Sequence, residues 1–383
     1  MSSIVSNTFI ESVMNECHYS CTLVFWGLYV RISADSSATI KRFSGVYSRF
    51  VDTTQNNRDI NCCIVRSSSH HSGPLLIVGE VLYEFPDTDS YVEHAELILF
   101  RHLLEQLDDY IVFHAGVVTR QGRAIVLYGQ SGFGKTTLTL ELLRRGYGFM
   151  SDEFCPLRIS DCMIEPFERC VGLQKSSPLY SIIDPRASFS LAPGGKLFFD
   201  CADMFPSSAA QLCPPGIFIE IVGEIDSNTC PPGGVALDIY MCCDSSSVPD
   251  QLSSLPGVTI SGPIMRGCYA VYRITASERT GFVSRFNSIW QENSNDIYCV
   301  FPYKGEIDTY DRMPQLCSVP AFEALTTLTS NIVNRAPNGR LLAAYDGKTS
   351  SLVMLLGGLL KNASFYSLQP GELAKTADLI DNL

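Results

Sequence analysis

The feature that most constrains the fold is a glycine-rich run of eight residues, Gly129-Gln130-Ser131-Gly132-Phe133-Gly134-Lys135-Thr136. It fits the pattern G-x-x-x-x-G-K-[ST] at every specified position, and that pattern forms a phosphate-binding loop when a strand precedes it and a helix follows. Both are predicted here, because Ala124–Tyr128 has the composition of a buried strand and Thr137–Arg145 that of a helix. The run therefore predicts a P-loop in an α/β core.

Each residue type in this loop has a physical role. Glycines let the backbone fold into a concave nest of N–H donors around phosphate oxygens, and the helix that follows adds its free N–H groups and the positive end of its dipole. Lys135 is expected to hold the β and γ phosphates, and the Thr136 hydroxyl is expected to bind Mg²⁺. The predicted nucleotide-binding residues are Gly129, Ser131, Gly132, Phe133, Gly134, Lys135, Thr136 and Thr137. ATPases, GTPases, kinases and motors share this motif, so it does not by itself give the reaction.

Two adjacent carboxylates, Asp152 and Glu153, follow the strand predicted over Tyr147–Met150. In an α/β sheet such a strand end faces the ligand crevice. One carboxylate could take a proton from an attacking hydroxyl while the other holds Mg²⁺ directly or through water. His114 stands near the end of the strand before the P-loop strand, where it could donate a hydrogen bond to a γ-phosphate. A solvated acidic turn and a core histidine are the alternatives.

Four segments in order form a larger pattern: Phe113–Val118, Gly129–Thr136, Arg145-Gly146-Tyr147 and Ser151-Asp152-Glu153. This order of a histidine strand, a P-loop, an arginine-glycine pair closing the helix and paired acids resembles the HPr kinase/phosphorylase family. The chain as a whole resembles diverged members of that family found with ribosomally made peptides, including lasso-peptide tailoring kinases.

The resemblance implies a core like that of phosphoenolpyruvate carboxykinase and transfer of the ATP γ-phosphate to a serine hydroxyl. It makes Asp152 the general base and places His114 beside the reacting phosphate. It also implies that Lys135, Thr136 and Glu153 hold phosphate and metal, and that Arg169 contacts phosphate or substrate.

The chain departs from the family pattern at three places. Thr136 and Thr137 stand where the family usually has a serine and an acid, and the second paired acid is Glu153 rather than aspartate. The glycine-rich stretch expected after the acids is only faintly echoed in Glu168–Leu173. These departures argue against a reverse, phosphate-driven dephosphorylation and against HPr itself as the substrate.

Composition limits the partners and the compartment. The net charge of −12 is unfavourable for nucleic acid or an anionic membrane, because both need clustered cations. The 15 cysteines are odd in number and scattered, which predicts buried thiols in a reducing cytosol rather than a disulfide framework or a zinc site. We expect a cytoplasmic protein without a signal peptide or membrane span; a homo-oligomer is left open.

The 383 residues suit more than one domain. We predict a β-rich module over residues 1–91, a P-loop kinase core over 92–225 and an α+β region over 226–383 that completes the substrate site. Within these regions, Val24–Ile32 and Leu75–Phe85 are predicted as strands and Ala321–Asn334 as a helix.

Three functions fit the sequence. The first is an ATP-dependent kinase acting on a serine of a peptide or protein, with tailoring of a lasso-type precursor peptide as its narrowest form. The second is a small-molecule kinase on the same core. The third is a non-catalytic nucleotide-binding regulator, against which the intact Lys135, Thr136 and Asp152 argue.

Overall fold

The structure is a computed structural model. It describes residues 2–54, 59–68, 71, 73–85, 91–184, 186–190, 196–206, 208–223, 234–241, 247–266, 269–293, 296–303, 312–335, 340–344 and 349–383. The chain divides into two compact units, residues 1–104 with 190–194 and residues 105–189 with 195–383. The three-part division at residues 91 and 225 stays a prediction.

The first unit is a six-stranded sheet with three helices. Its elements are β1 (Ser2–Ile4), α1 (Asn7–Glu16), β2 (Tyr19–Phe25), β3 (Leu28–Ala34), α2 (Ser37–Val46), β4 (Ile60–Val65), β5 (Leu75–Val78), β6 (Val81–Glu84) and α3 (Tyr91–Glu105). The strand order is β1-β6-β5-β4-β3-β2, and β3 with β4 is the parallel pair.

Two strands predicted in this unit are wrong as single strands, because each is a hairpin. The first turns at Trp26 and Gly27, whose φ angles are 50° and 83°. The second turns at Gly79, where φ is 60°. Positive φ is what a tight hairpin turn requires and what a continuous strand excludes. Neither turn carries the Asn-Gly or Asp-Gly sequence that would have marked it.

The second unit contains the P-loop. Its elements from β7 to β14 are β7 (Tyr110–Arg120), β8 (Arg123–Gly129), α4 (Lys135–Arg144), β9 (Gly148–Ser151), β10 (Phe154–Arg158), β11 (Val171–Leu173), β12 (Ser188–Ser190), β13 (Leu197–Phe199), α5 (Cys201–Met204) and β14 (Pro215–Ile221). The later elements are β15 (Val235–Met241), α6 (Val248–Ser253), β16 (Val258–Arg266), β17 (Tyr269–Ala276), α7 (Arg279–Glu292), β18 (Ile297–Pro302), β19 (Gln315–Ser318), α8 (Ala321–Leu328), α9 (Arg340–Ala344), α10 (Thr349–Leu359), β20 (Ser364–Gln369) and α11 (Leu373–Asp381).

A seven-stranded sheet is the centre of this unit. Its order is β10-β7-β8-β14-β20-β19, with β9 also pairing with β7. The P-loop strand β8 runs parallel to β14, and β14 runs parallel to β20. Smaller sheets, β11-β13-β12 and β16-β17-β15-β18, complete the unit. These elements confirm a mixed α/β architecture; the finer likeness to a carboxykinase-type core stays a prediction.

Two apolar layers cover the main sheet. On one face, residues of α4 and α11 such as Leu142 and Ala377 pack with Leu127 of the P-loop strand. On the other face, residues of α8 and α10 pack with Phe113 and Phe218. The P-loop strand therefore lies in a buried, rigid part of the sheet, which fixes the position of the loop that follows it.

Glycine allows the P-loop helix to approach the sheet closely. A Cβ atom at Gly116 on β7 would overlap the Thr139 hydroxyl of α4. At the far end of α4, Arg145 pairs with Glu141 at 3.2 Å and with Asp378 of α11 at 2.7 Å. Close packing at one end and ion pairs at the other hold α4 against the sheet.

The helix predicted over Ala321–Asn334 ends early. Helix α8 stops at Leu328, and a 3₁₀ turn occupies Thr329–Asn331. The buried Asn334 side chain then accepts a hydrogen bond from the Val112 N–H at 3.0 Å and donates to the Tyr110 carbonyl at 2.8 Å. These long-range contacts with β7 account for the end of the helix, and local periodicity could not reveal them.

Candidate active site

The P-loop has the backbone conformation that its glycines permit. It leaves β8 at Gly129 and enters α4 at Lys135, with φ angles of 145°, 86° and 83° at Gly129, Gly132 and Gly134. A Cβ atom at Gly129 would lie 2.5 Å from the Ile221 carbonyl oxygen of β14. Any residue other than glycine at position 129 would therefore strain this turn or collide with the neighbouring strand β14.

Lys135 lies inside the loop. Its ammonium donates hydrogen bonds to the carbonyl oxygens of Gly129 at 2.8 Å and Gln130 at 3.0 Å, and the residue is 6% exposed. These bonds hold the loop in a curved shape around a fixed positive charge. Within the part of the chain that the structure describes, no side chain caps the start of α4 at Gly134, so its first N–H groups and its positive dipole end face the loop.

The other predicted loop residues have different environments. Phe133 is buried in the apolar layer of α4, so only its backbone is suited to a ligand, and its N–H donates to the Gln130 carbonyl at 3.3 Å. Gly132 is exposed, and a Cβ atom there would meet nothing within 4 Å. Ser131, Thr136 and Thr137 are half-buried.

The sheet brings His114 and the two acids toward the P-loop. Ala115 on β7 is paired with Tyr128 on one side, and its N–H donates to the Glu153 carbonyl at 3.0 Å on the other. His114 is the partner of Phe154 on β10, and its Nδ1 lies 3.5 Å from a Glu153 carboxylate oxygen. One strand, β7, thus separates the start of the P-loop from the acidic pair.

Arg169 joins both carboxylates. Its Nε lies 3.3 Å from Asp152 Oδ1, and its Nη2 lies 2.6 Å from Glu153 Oε2. The sequence predicts that this residue contacts phosphate or substrate, and that role stays a prediction. The side chain is only 14% exposed, and the structure shows it holding Asp152 and Glu153 in fixed orientations.

Burial and charge set different pKa values for the three titratable groups. Burial raises the pKa of Asp152 to about 6, against the opposing charge of Arg169 and with the help of Glu153. Burial would also raise the pKa of Glu153, but Arg169, followed by His114, outweighs it and lowers that pKa. Burial and then the charge of Lys135 lower the pKa of His114 to about 4. At neutral pH both carboxylates are therefore ionised and the histidine is neutral.

Asp152 has an oxygen suited to a proton. The carboxylate is 4% exposed, and its buried Oδ1 has no hydrogen-bond partner among the described residues. A pKa near 6 leaves it mostly ionised at pH 7 while keeping it a stronger base than an ordinary aspartate. The same oxygen lies 3.3 Å from Arg169 Nε, and the role of Asp152 as a general base stays a prediction.

The donor set fits a nucleotide and a magnesium ion. Exposed glycine backbone, the uncapped helix start and the Lys135 ammonium are complementary to phosphate oxygens. The Thr136 hydroxyl and the Glu153 carboxylate are hard oxygen ligands, which Mg²⁺ prefers, and Mg²⁺ usually retains several waters. Among the described residues no group of three or more His, Cys, Asp or Glu side chains could hold a metal ion.

Sequence reasoning missed one charged residue near the site. Lys196, which precedes β13, contributes a positive charge that favours the ionised forms of both Asp152 and Glu153. It lies more than 40 residues after the acids in the chain, and no motif marks it. Only the pairing of β11 with β13 brings it close.

Most of the described cysteines are buried, as the composition predicts. Six of the ten free cysteines in the described part of the chain are buried: Cys62, Cys63, Cys155, Cys170, Cys201 and Cys213. No helix within the described ranges has both the length and the apolar character needed to cross a lipid bilayer.

Comparison with known proteins gives a limited likeness. No protein-family model matches the chain. Over 103 residues it is 29% identical to the HPr kinase/phosphorylase of Caldanaerobacter subterraneus subsp. tengcongensis, and this match covers 26% of the chain and only 30% of that protein's length. The HPr(Ser) kinase/phosphatase from Coxiella burnetii is a structural neighbour with a TM-score of 0.20 and 15% identity, covering 31% of this chain and 67% of the other. The sequence match supports the resemblance to HPr kinase/phosphorylase, whereas the narrower likeness to lasso-peptide kinases stays a prediction.

Proposed function

We propose that this chain is an ATP-dependent kinase that transfers the γ-phosphate to a serine hydroxyl of a peptide or protein. The observation that carries the proposal is a buried base, Asp152, held one strand away from a complete P-loop. An ionised, desolvated carboxylate at this place is suited to accept the proton of an attacking hydroxyl. The partial sequence match to an HPr kinase/phosphorylase supports the same reading.

The P-loop forms the nucleotide side of this site. Backbone N–H groups of Ser131, Gly132, Phe133 and Gly134, with those of the first turn of α4, would surround the phosphates. Lys135 would exchange its bonds to the loop carbonyls for bonds to phosphate oxygens without moving far, because the loop already encloses its ammonium. The nucleotide would thus bind to a preformed cradle.

The acceptor side depends on Asp152. Its carboxylate takes the proton of the serine hydroxyl as the serine oxygen forms a bond to the γ-phosphorus. The bond from that phosphorus to the bridging oxygen breaks, and its electron pair leaves with ADP. Magnesium held by Thr136 and Glu153 would neutralise charge on the phosphate oxygens. His114, neutral at pH 7, can donate a hydrogen bond next to the phosphate without adding charge.

Arg169 has a positioning role in this proposal. Its guanidinium contacts both carboxylates and offsets part of the cost of burying two negative charges together. It keeps Asp152 ionised at neutral pH, because without it burial would raise the pKa of that carboxyl further. In this proposal Arg169 positions the two acids, and its contact with phosphate or substrate stays a prediction.

The test is phosphate transfer to matched peptides. Incubation with ATP and Mg²⁺ is followed by intact-mass measurement of a serine-ending peptide, the same peptide ending in alanine, and free serine. We expect one added phosphate on the serine peptide alone. Phosphorylation of free serine at an equal rate would instead indicate a small-molecule kinase. Tight MgATP binding with no transfer to either acceptor would indicate a regulatory nucleotide-binding module.

A further inference from the structure

Charge at the acceptor side of the site is unbalanced. Asp152 and Glu153 are two carboxylates, and the single guanidinium of Arg169 is shared between them. Lys135 is bonded to the P-loop carbonyls on the nucleotide side. A terminal phosphate approaching Asp152 adds further negative charge, and a cation on the acceptor side would offset it together with the magnesium proposed at Thr136 and Glu153.

Lys196 lies on the ribbon that follows Arg169. Strand β11 begins two residues after Arg169 and pairs with β13, with Gly172 opposite Phe198 and Leu173 opposite Leu197. The backbone of Lys196 therefore lies beyond the Leu173–Leu197 pair, at the end of the β11–β13 ribbon that is farther from Arg169. Its Cδ atom nevertheless lies 3.3 Å from the position of a Cβ atom on Gly172. The side chain thus runs back along the ribbon toward the end near Arg169, and it passes over Gly172 beside the Phe198 ring.

The ammonium of Lys196 remains available. The residue is exposed, and no ion pair joins it to any carboxylate of the residues that the structure describes. The positive charge of Lys196 acts to lower the pKa of both Asp152 and Glu153. A long side chain directed at two acids but bonded to neither is suited to a third group that enters between them.

We propose that Lys196 is a catalytic residue that contacts the transferring phosphoryl group on the side opposite Lys135. This inference rests on the proposed kinase function. Lys196 donates hydrogen bonds to the phosphoryl oxygens as the bond to ADP breaks and the bond to the serine oxygen forms. The hydroxyl proton goes to Asp152, so Lys196 takes no part in proton transfer. Lys135 thus contacts the phosphoryl group on the ADP side, and Lys196 contacts it on the serine side.

The test compares binding of two ligands, MgATP and MgADP with aluminium fluoride, which imitates the phosphoryl group in transit. Calorimetric titrations use the full chain, the variants Lys196→Ala and Lys196→Arg, and the control Lys175→Ala at another exposed lysine just after β11. We expect Lys196→Ala to keep MgATP affinity within about threefold and to lose about 10–100-fold in affinity for the aluminium fluoride complex. Lys196→Arg should recover much of the loss, and Lys175→Ala should bind both ligands as the unchanged chain does.

Several results would overturn the proposal. Unchanged affinity for the aluminium fluoride complex would show that Lys196 does not touch the group in transit. Equal losses of affinity for both ligands would show that Lys196 contacts the phosphates of bound nucleotide and has no preference for the group in transit. A shift of the pH profile without any loss of this affinity would show that it acts only through Asp152. Failure of the unchanged chain to phosphorylate any acceptor would refute the kinase function separately, and the ligand comparison would still decide whether Lys196 binds a phosphoryl-like group.

Discussion

Replacing the proposed base should stabilise the protein while it abolishes activity. Asp152 is almost fully buried, and its pKa in the folded chain is about 6, above the ordinary value of 3.8. Ionisation is therefore easier in the unfolded chain, and above pH 6 the folded state carries an unfavourable charge. Asparagine has nearly the same shape and no charge, so Asp152→Asn should remove this penalty.

The size of the effect follows from the shift. The difference between 3.8 and about 6 corresponds to about 3 kcal/mol, since one pKa unit is about 1.4 kcal/mol. The advantage of asparagine should be absent below about pH 4, grow as pH rises toward 6, and be complete above about pH 7. For a unit of this size such a gain raises the melting temperature by about 5 °C.

The assay is thermal unfolding between pH 4 and pH 8 in a chelator and without nucleotide, so that neither metal nor ligand contributes. Asp161→Asn is a matched control, because Arg158 lowers the pKa of that exposed carboxyl and its neutralisation should bring no gain. A loss of several kcal/mol in Asp152→Asn at pH 7.5 would refute the reasoning. It would mean that the pairing with Arg169 dominates, and that the pKa of Asp152 is lowered instead of raised.

Three further predictions concern the same site. Phosphate transfer by the unchanged chain should fall about tenfold per pH unit below about pH 6, as Asp152 becomes protonated, and a pH–rate profile that stays flat to pH 5 would contradict this. Arg169→Met should move the acid limb of that profile upward by about one unit, because the opposite charge is lost, and a downward movement would exclude the positioning role. Gly116→Ala should push α4 away through the Thr139 hydroxyl and weaken MgATP binding about tenfold in calorimetry. Adding Thr139→Ala should restore the affinity, and a double variant that binds no better would refute the steric cause.

Local signals in the sequence predict the strand, loop and helix of the P-loop segment. The P-loop, its strand and its helix lie within one continuous segment, and helix α4 begins two residues before the predicted start. Glycine positions in the motif coincide with positive φ angles at Gly129, Gly132 and Gly134. Such features depend on neighbours a few residues away, which is the range over which residue patterns carry information.

The acceptor half depends on contacts that are distant in sequence. Asp152 and Glu153 are predicted from their place after a strand, but the pairing of Arg169 with both acids requires the chain to pass along β10 and then return to them. Lys196 comes near the acids only because β13, which follows it, pairs with β11. Charge, burial and pKa at this side result from tertiary packing, so a sequence alone gives the residue types without their partners.

The most direct test of the account pairs two measurements on the same samples, the affinity for MgATP and the single-turnover rate of phosphate transfer, for the unchanged chain and for Asp152→Asn. We expect both proteins to bind MgATP within about twofold of each other, and the variant to transfer phosphate about 10²–10⁴-fold more slowly. Failure of the unchanged chain to bind MgATP, or transfer by the variant at the full rate, would contradict the claim that this P-loop presents ATP to a buried aspartate base.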